Sequence, residues 1–340
     1  MTVEAKTPCR PAARLSVAPM LDWTDRHCRF FHRQFSSRAL LYTEMVTSPA
    51  LVRGRAFQLL DHDPAEHPLA LQLGGSDPGE LAEAAAIGHQ AGYAEVNLNV
   101  GCPSDRVQSG CFGAVLMRAP LLVAACLRAM IAASPAEVTV KCRIGVDEDD
   151  PSEVLPRFLD HVAAAGVTRV TVHARKAWLK GLSPRENREV PPLDYSLVVA
   201  MKRRFPGLHL SINGGIGALD QAEALLAQGL DGVMIGRAAY GDPAAILGDA
   251  DARIFGEDRA PVDPLAVARA MQPYIAAHVA GGGRAHNVTR HMLGLFTGRP
   301  GARIWRRYLS ETAARRGAGP ELIAEALELV ETAGMRAAAE

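Results

Sequence analysis

The sequence has no excess of charge of either sign, since 37 Lys and Arg balance 37 Asp and Glu in a chain of 340 residues. This balance argues against a uniformly basic coat for nucleic acid, although a local basic face remains open. The 6 cysteines include no C-x-x-C pair, so the sequence predicts no zinc or iron–sulfur site and fits a reducing compartment. Apolar runs stay below the roughly 18 residues of a membrane-spanning helix. We therefore expect a cytoplasmic protein without a membrane span or a metal.

What the sequence does contain is a repeated unit in which a short apolar strand precedes an alanine-rich amphipathic segment. The alternation of strands and helices implies parallel pairing with right-handed crossovers, and eight such units predict a (β/α)8 TIM barrel. A doubly wound open sheet is the alternative, but no G-x-G-x-x-G fingerprint follows the first strand. The predicted strands are residues 15–20, 39–45, 69–73, 94–100, 138–144, 169–174, 209–213 and 232–235. The predicted helices between them are residues 24–35, 78–90, 120–133, 153–164, 196–205 and 219–228.

The composition changes after the eighth predicted strand. Residues 241–264 are rich in Asp, Gly and Pro, as is typical of a linker, and only helices are predicted beyond them. Those helices are residues 265–280, 285–296, 301–314 and 320–337. We accordingly predict a flexible tail at 1–13, a barrel at 14–245, a linker at 246–263 and a small helical domain at 264–340.

Polar residues alternate with apolar ones at the C-terminal ends of the predicted strands, where the active sites of TIM barrels lie. If the polar set points into the barrel mouth, five side chains surround one cavity: Gln72, Asn99, Lys141, His173 and Asn213. The alternative is that some of these side chains merely hydrogen-bond to one another inside the barrel.

Two glycine turns follow the last two predicted strands, at Asn213-Gly214-Gly215 and at Gly236-Arg237. Loops in these positions form the usual phosphate site of the fold, because glycine lets backbone N–H groups approach an anion and an arginine can pair with it. A ligand with a phosphate at one end and amide-like atoms at the other would meet Gln72 and Lys141. FMN fits this description, and a cation such as Lys141, with His173 beside it, would stabilise a reduced flavin.

Residues 95–103 read as a strand that ends in a loop carrying Cys102. Val96, Leu98 and Val100 alternate with polar residues, while Gly101 and Pro103 shape the loop. A buried structural cysteine is the alternative interpretation of this position.

The motifs taken together resemble those of the tRNA-dihydrouridine synthases. The matching stretches are APMLDWTD at 18–25, LQLGG at 71–75, NLNVGCPS at 97–104, KCRIG at 141–145, VHAR at 172–175, NGGI at 213–216 and MIGR at 234–237. Similarity to the bacterial A-type branch of the family rests on GLSP at 181–184, NREVPPL at 187–193 and GARIWRR at 301–307.

The resemblance implies reduction of the C5=C6 bond of uridine in the tRNA D-loop, with bound FMN and with NADPH as a transient reductant. It also implies that Cys102 is the general acid that protonates C5. Residues expected to contact FMN are Pro19, Met20, Leu21, Gln72, Lys141, His173, Asn213, Gly214, Gly215, Gly236 and Arg237. Residues expected to contact tRNA are Asn99, Arg185, Arg188, Arg303 and Arg306. We expect a monomer.

The arginines near residue 303 also have an argument of their own. Arg303, Arg306 and Arg307 share one side of a predicted helix, and a cationic face beside the Trp305 indole suits phosphate binding and base stacking. His286, Arg290 and His291 could extend this surface. The alternative is a solvated helix face with Trp305 in the core.

Two other functions remain open from the sequence. A flavin barrel reductase of a free pyrimidine or another small molecule would share the phosphate loops and Lys141, but it has no use for a basic helical domain. A non-catalytic tRNA-binding protein would not need Cys102.

Overall fold

The computed structural model describes residues 9–104, 110–315 and 317–339, with side chains as far as residue 335. Its centre is a sheet of eight parallel strands in the order β1-β8-β7-β6-β5-β4-β3-β2. Ser16 of the first strand and Leu40, next to the second, form a parallel bridge that closes the sheet. The predicted (β/α)8 barrel is therefore confirmed. The strands are β1 (Leu15–Val17), β2 (Leu41–Thr47), β3 (Leu69–Gly74), β4 (Glu95–Val100), β5 (Glu137–Arg143), β6 (Arg169–His173), β7 (His209–Asn213) and β8 (Gly232–Ile235).

The strand register aligns the polar residues of neighbouring strands in rows. Gln72 of β3 lies opposite Asn97 of β4, which lies opposite Thr139 of β5. One pleat nearer the C-terminal ends, Asn99 lies opposite Lys141. Because side chains on a strand alternate between faces, residues in one row point the same way.

Helices connect the strands, and their starts follow local sequence rules. Asp77, Asp150 and Asp194 each accept a backbone N–H of the helix they precede, which satisfies donors that have no partner within the helix. The helices up to β8 are α1 (Cys9–Ala12), α2 (Arg26–Arg33), α3 (Ser48–Val52), α4 (Pro78–Gln90), α5 (Pro120–Ala133), α6 (Pro151–Ala164), α7 (Tyr195–Arg204) and α8 (Leu219–Ala227). Those after β8 are α9 (Arg237–Gly241), α10 (Pro243–Leu247), α11 (Ala250–Arg253), α12 (Pro264–Ala280), α13 (Ala285–Thr289), α14 (Ala302–Thr312) and α15 (Glu321–Ala339).

The described chain divides into two compact units. The first, called here the barrel unit, contains residues 9–21, Leu40–Ile216 and Asp220–Gly236. The second, the helical unit, contains Asp22–Ala39, Gly217–Leu219 and residues 237–339. Helix α2 thus groups with the C-terminal helices rather than with the barrel, because Asp25 at its start pairs with Arg290 and His291. Among the described residues, no helix is both long enough and apolar enough to cross a membrane.

The prediction of a flexible tail at 1–13 is wrong for its last five residues. Cys9, Ala12 and Ala13 are buried in an apolar cluster that includes Leu40 and Tyr42. Contact is so close that a Cβ at Gly232, the first residue of β8, would lie 2.2 Å from the Ala13 carbonyl oxygen. The small apolar side chains of Cys9, Ala12 and Ala13 fit between the neighbouring residues, so their burial keeps this segment folded. Residues 1–8 lie outside the described residues.

Two local predictions near the C-terminus also differ from the structure. The predicted helix at 285–296 ends at Thr289, and backbone N–H groups of His291 and Met292 then bond three residues back, as in turns. A Cβ at Gly294 would lie 2.4 Å from the Gly241 carbonyl oxygen, which shows how tightly this turn packs. The short helix α11 lies within the stretch predicted as a linker.

Candidate active site

A chain of hydrogen bonds runs along the polar row at the barrel mouth. Asn99 Nδ2 donates to Gln72 Oε1 at 2.8 Å, and Gln72 Nε2 donates to Asn97 Oδ1 at 2.9 Å. Asn97 Nδ2 then donates to Thr139 Oγ1 at 2.8 Å. The alternative considered from the sequence, that some of the five side chains bond to one another, therefore holds for Gln72 with Asn99, and it holds as well for Lys141 with Asn213. The amides of Gln72 and Asn99 are held in fixed orientations, and each amide nitrogen has a second N–H donor besides the one in this chain.

The backbone around Cys102 is held by this chain of hydrogen bonds and by a neighbouring segment. Asn99 Oδ1 accepts the backbone N–H groups of Gly101 and Cys102, each at 3.0 Å. The Cys102 carbonyl accepts the Ala114 N–H at 2.9 Å. The half-buried Cys102 thiol lies 3.4 Å from Ser104 Oγ. The backbone on either side of this thiol is thus held in place, as proton transfer at a defined atom requires.

Lys141 lies beside this loop, opposite Asn99 in the register. Its Nζ donates to Asn213 Oδ1 at 3.0 Å, and Asn213 Nδ2 donates to the Met234 carbonyl at 2.8 Å. Removal from water, with Arg143 nearby, lowers the pKa of Lys141 to about 8. The side chain therefore remains largely cationic at neutral pH while its proton is held less tightly than usual.

His173 is the next side chain around the mouth and is buried. Burial, together with the positive charges of Arg143 and Lys141, holds the pKa of His173 well below its usual range, so its ring is neutral at pH 7. Within the described chain, His173 Nδ1 is buried and has no hydrogen-bond partner. A buried ring nitrogen of this kind is costly unless a ligand satisfies it.

Arg143 connects the Cys102 loop to the loop that follows β6. The buried guanidinium donates to the Gly101 carbonyl at 3.2 Å, to the Lys176 carbonyl at 3.2 Å and to the Asn187 carbonyl at 2.9 Å. The Asn187 side chain in turn binds backbone atoms of Trp178 and Leu182. The sequence marks Arg143 only as a polar residue of β5, because three carbonyls from two distant loops meet only in the folded chain.

The glycine turn after β7 has a left-handed backbone. Gly214 and Gly215 have φ values of +111° and +70°, which other residues rarely adopt. A Cβ on Gly214 would lie 3.1 Å from His173 Nε2. A Cβ on Gly236 would lie 3.4 Å from Met20 Sδ, in ordinary contact. The first turn therefore packs against His173 and the second lies next to Met20.

The remaining predicted cofactor residues lie at the ends of β1 and β8. Pro19 and Met20 are half-buried, whereas Leu21 is 65% exposed. Arg237 is exposed and begins α9, the first helix of the helical unit after β8.

The predicted tRNA-binding arginines are exposed in both units. In the barrel unit, the Arg185 side chain is 81% exposed and lies 3.7 Å from the Glu189 carboxylate, and Arg188 is exposed nearby. In the helical unit, Arg303 and Arg306 lie on the exposed side of α14. Exposed guanidinium groups of this kind are the usual means of phosphate contact.

Trp305 does not form part of that exposed surface, so the expectation that it could stack on a base is wrong. Its ring is fully buried, packs edge-on against Phe296 with ring centroids 4.9 Å apart, and donates from Nε1 to the Met292 carbonyl at 2.8 Å. His291, expected to extend the basic surface, is also buried and binds Asp25. Helical spacing fixes which residues share a side, but the packing of the unit decides which side is covered.

Comparison with known proteins gives a consistent assignment. A family model described as dihydrouridine synthase (Dus) matches residues 16–331. The chain is 56% identical over 317 residues to a tRNA-dihydrouridine(20/20a) synthase of Shewanella oneidensis, covering 93% of this chain and 94% of the relative. It is 56% identical over 326 residues to the protein of that name from Xanthomonas axonopodis pv. citri, covering 96% of each chain. The Escherichia coli K12 protein of the same name is 54% identical over 326 residues, covering 96% of this chain and 94% of the relative.

Proposed function

Because the chain belongs to the dihydrouridine synthase family, we propose that it reduces D-loop uridines of tRNA at positions 20 and 20a to dihydrouridine, with FMN as cofactor and NADPH as reductant. The relatives that carry the 20/20a name match this chain over nearly its full length. The observation that carries the proposal is Cys102, whose backbone N–H and carbonyl are both hydrogen-bonded and which follows the strand residue opposite Lys141 at the mouth of the barrel.

The residues at the mouth fit FMN on structural grounds. His173 Nδ1 is a buried atom that lacks a partner within the described chain, and Lys141 keeps a cation close by. The positive-φ backbone of Gly214 and Gly215 offers N–H groups that an anion can accept. We propose that Gln72, Lys141 and His173 bind the ring system and that Asn213 and the glycines of both turns bind the phosphate side. Arg237, the next residue after Gly236, would add charge to the phosphate contact.

The bound flavin supplies the hydride for C6 of the uracil. The chain itself must then supply a proton to C5, because saturation of a double bond needs both. Cys102 Sγ is the proposed donor, since a thiol carries a transferable proton and the backbone of Cys102 is fixed by Asn99. The remaining Asn99 amide N–H is the proposed contact to the target nucleotide.

We further propose that Arg185, Arg188, Arg303 and Arg306 bind tRNA phosphates, and that the protein acts as a monomer in the cytoplasm, where tRNA is located. Phosphate contacts of this kind position a nucleic acid without reading its sequence. The elution volume on gel filtration tests the monomer.

The main test compares substrates. Purified protein is incubated with NADPH and either a folded tRNA transcript or free UMP, and dihydrouridine is measured by mass spectrometry of the digested nucleosides. We expect dihydrouridine at positions 20 and 20a of the transcript and none from UMP. Comparable reduction of UMP would favour a small-molecule reductase, and NADPH oxidation without dihydrouridine would contradict the proposal.

The phosphate contact has its own test. Arg237→Ala should lower the FMN content of the purified protein, because a charge-assisted hydrogen bond contributes about 1.5–3 kcal/mol. Flavin absorbance per protein after gel filtration measures the change, and Arg203→Ala, at an exposed position on α7, is the matched control. Unchanged flavin content in Arg237→Ala would contradict this contact.

A further inference from the structure

The helical unit exposes an indole that no part of the proposed mechanism uses. Trp23 is 38% exposed, in contrast to the fully buried Trp305. Its ring stacks on Tyr240, with ring centroids 4.5 Å apart and an angle of 23° between the planes. An exposed tryptophan is thus supported from behind by a second aromatic ring.

Tyr240 is itself held by hydrogen bonds that run through the buried His291 to Asp25. Its hydroxyl lies 3.1 Å from Nδ1 of His291, whose Nε2 lies 3.0 Å from an Asp25 carboxylate oxygen. Burial raises the pKa of Tyr240 to about 12, so the hydroxyl keeps its proton. Although burial opposes it, hydrogen bonds and charge from His291, with Arg290, hold the pKa of Asp25 well below its usual range. Tyr240 therefore cannot turn away from the indole without losing these bonds.

The loop on which Trp23 stands is also fixed on both sides of it. Arg290 Nη1 donates to the Asp22 carbonyl at 3.0 Å, and Arg290 Nη2 lies 2.6 Å from Asp25 Oδ2. The other Asp25 oxygen accepts the backbone N–H groups of His27 at 2.9 Å and of Cys28 at 3.0 Å, which caps α2. Binding to a flexible side chain costs conformational entropy, because the side chain must be ordered. The ring of Trp23 is already held in place, so a ligand that binds it does not incur this cost.

We propose that Trp23 is a preorganised surface on which an unpaired base of the tRNA stacks, an inference that rests on the proposed function for the identity of the nucleic acid. Stacking on aromatic rings accepts every base, and single-stranded loops of RNA offer splayed bases to such rings. The exposed Arg26 follows Trp23 by three positions, and the half-exposed Arg290, although paired with Asp25, donates to the carbonyl of the residue before Trp23. Guanidinium groups on this stretch of chain are the kind of donor that contacts an RNA backbone.

The test measures tRNA affinity directly, so it does not depend on turnover. Trp23→Ala should weaken tRNA binding about 5- to 150-fold, the affinity change that corresponds to the loss of one stacked base. Trp23→Phe should retain most of the affinity because a ring remains. Phe57→Ala is the matched control, since Phe57 is a comparably exposed aromatic of the barrel unit (44%). We expect its affinity to equal that of the unchanged protein.

Salt dependence separates stacking from ion pairing. Removing a stacked ring should leave the slope of log Kd against log salt unchanged, whereas removing an arginine flattens it. Tyr240→Phe, which keeps the supporting ring but loses the bond to His291, should give a smaller loss than Trp23→Ala. Thermal unfolding of each variant identifies any that fail to fold. If Trp23→Ala fails to fold, the affinity of Trp23→Phe is compared with that of the unchanged protein instead.

Three outcomes would overturn the inference. The first is that Trp23→Ala, folded and loaded with FMN, binds tRNA as tightly as the unchanged protein. The second is that its main defect is loss of FMN, which would make the indole a cofactor contact. The third is that Phe57→Ala weakens binding equally, which would point to non-specific apolar adhesion. If the unchanged protein binds tRNA with a Trp23-dependent affinity yet forms no dihydrouridine, the proposed function fails and the stacking surface stands.

Discussion

The two ends of the barrel use charge in opposite ways, although the same strands build both. At the N-terminal end, the buried Arg169 of β6 pairs with the buried Glu95 of β4 and with Glu137 of β5. Tyr42 and Thr139 donate to the same Glu95 oxygen, at 2.9 Å and 2.6 Å. Although burial opposes it, Glu95 and the other groups around it hold the pKa of Arg169 well above its usual range.

At the C-terminal end, the charges that act most strongly on His173 are all positive: Arg143, Lys141, Arg175 and Arg188. The pKa values of Lys141 and Arg143 fall to about 8 and about 10, with removal from water as the first cause. Like charges held together in this way weaken the fold of the free protein unless an anion joins them. At the N-terminal end the buried cation is therefore paired with carboxylates. At the C-terminal end several cations lie close together, an arrangement that favours binding of an anion.

The largest expected effect comes from the thiol at the C-terminal end. Cys102→Ala should lose about 10²- to 10⁴-fold in uridine reduction, which is the usual contribution of a general acid, and should keep FMN and its reduction by NADPH. Stopped-flow measurement of the two half-reactions separates these effects. Cys111→Ala, which removes an exposed cysteine, serves as the control. Equal failure of both half-reactions would make Cys102 a structural or cofactor-binding residue.

The next largest effect tests the difference in charge pairing between the two ends of the barrel. Arg169→Met should lower the free energy of unfolding by about 3–5 kcal/mol, because it leaves Glu95 as an unpaired buried carboxylate. Lys141→Met in the FMN-free protein should not destabilise, because it removes one of several crowded cations. Urea unfolding of both variants measures the difference. If Lys141→Met were as destabilising as Arg169→Met, the two ends would not differ in the way described.

The pH dependence of FMN binding gives a finer test at Lys141. Its pKa in the folded protein is about 8, below the usual value of about 10.5. Between these values the unfolded chain binds more protons than the folded one, so the contribution of Lys141 to stability rises with pH. Its attraction for an anionic cofactor falls over the same window, because the folded protein loses the cation.

We therefore expect FMN affinity to decline above about pH 8. Quenching of flavin fluorescence measures the affinity, at pH values high enough that the phosphate group of FMN is already fully ionised. Lys141→Arg should flatten the decline, because arginine holds its proton more strongly. A decline of the same size in Lys141→Arg would assign the titration to another group.

The smallest expected effect extends the comparison to the exposed charges of the helical unit. The double variant Arg303→Ala/Arg306→Ala should weaken tRNA binding and reduce the slope of log K against log salt by up to roughly 1.5. The reduction of flavin by NADPH should not change. Arg203→Ala/Arg204→Ala, on the exposed side of α7, is the matched control. An unchanged slope would mean that α14 does not contact the tRNA backbone.

The barrel and the position of its mouth could be predicted from the sequence because they depend on periodicity. Alternation along β4 places Asn97 and Asn99 on the same face of that strand, and alternation along β5 does the same for Thr139 and Lys141. This holds whichever strands pair with them. The positive φ values of Gly214 and Gly215 follow equally from local chemistry. The partners of Gln72 and Asn99 could not be predicted, since they depend on the register between strands.

The helical unit shows the same division between local and long-range information. The sequence correctly predicts helices around residues 270, 306 and 330, and it places Arg303 and Arg306 on one side. Its expectation of an exposed Trp305 is wrong, because Trp305 packs on Phe296, whereas Trp23, far away in the chain, is partly exposed and stacks on Tyr240. Exposure is a property of the packed unit, which brings together residues more than two hundred positions apart.

The sequence alone thus determined the strands, the turns, the loop that carries Cys102 and the faces on which polar residues stand, because each depends on a few neighbouring residues. Only the tertiary structure decided that Cys9, Ala12 and Ala13 are buried, that Arg143 joins two loops and that Arg169 pairs with carboxylates while Lys141 does not. The physical reason is that burial and the pairing of charges depend on which distant segments meet, and this is set by closure of the barrel and not by any local pattern.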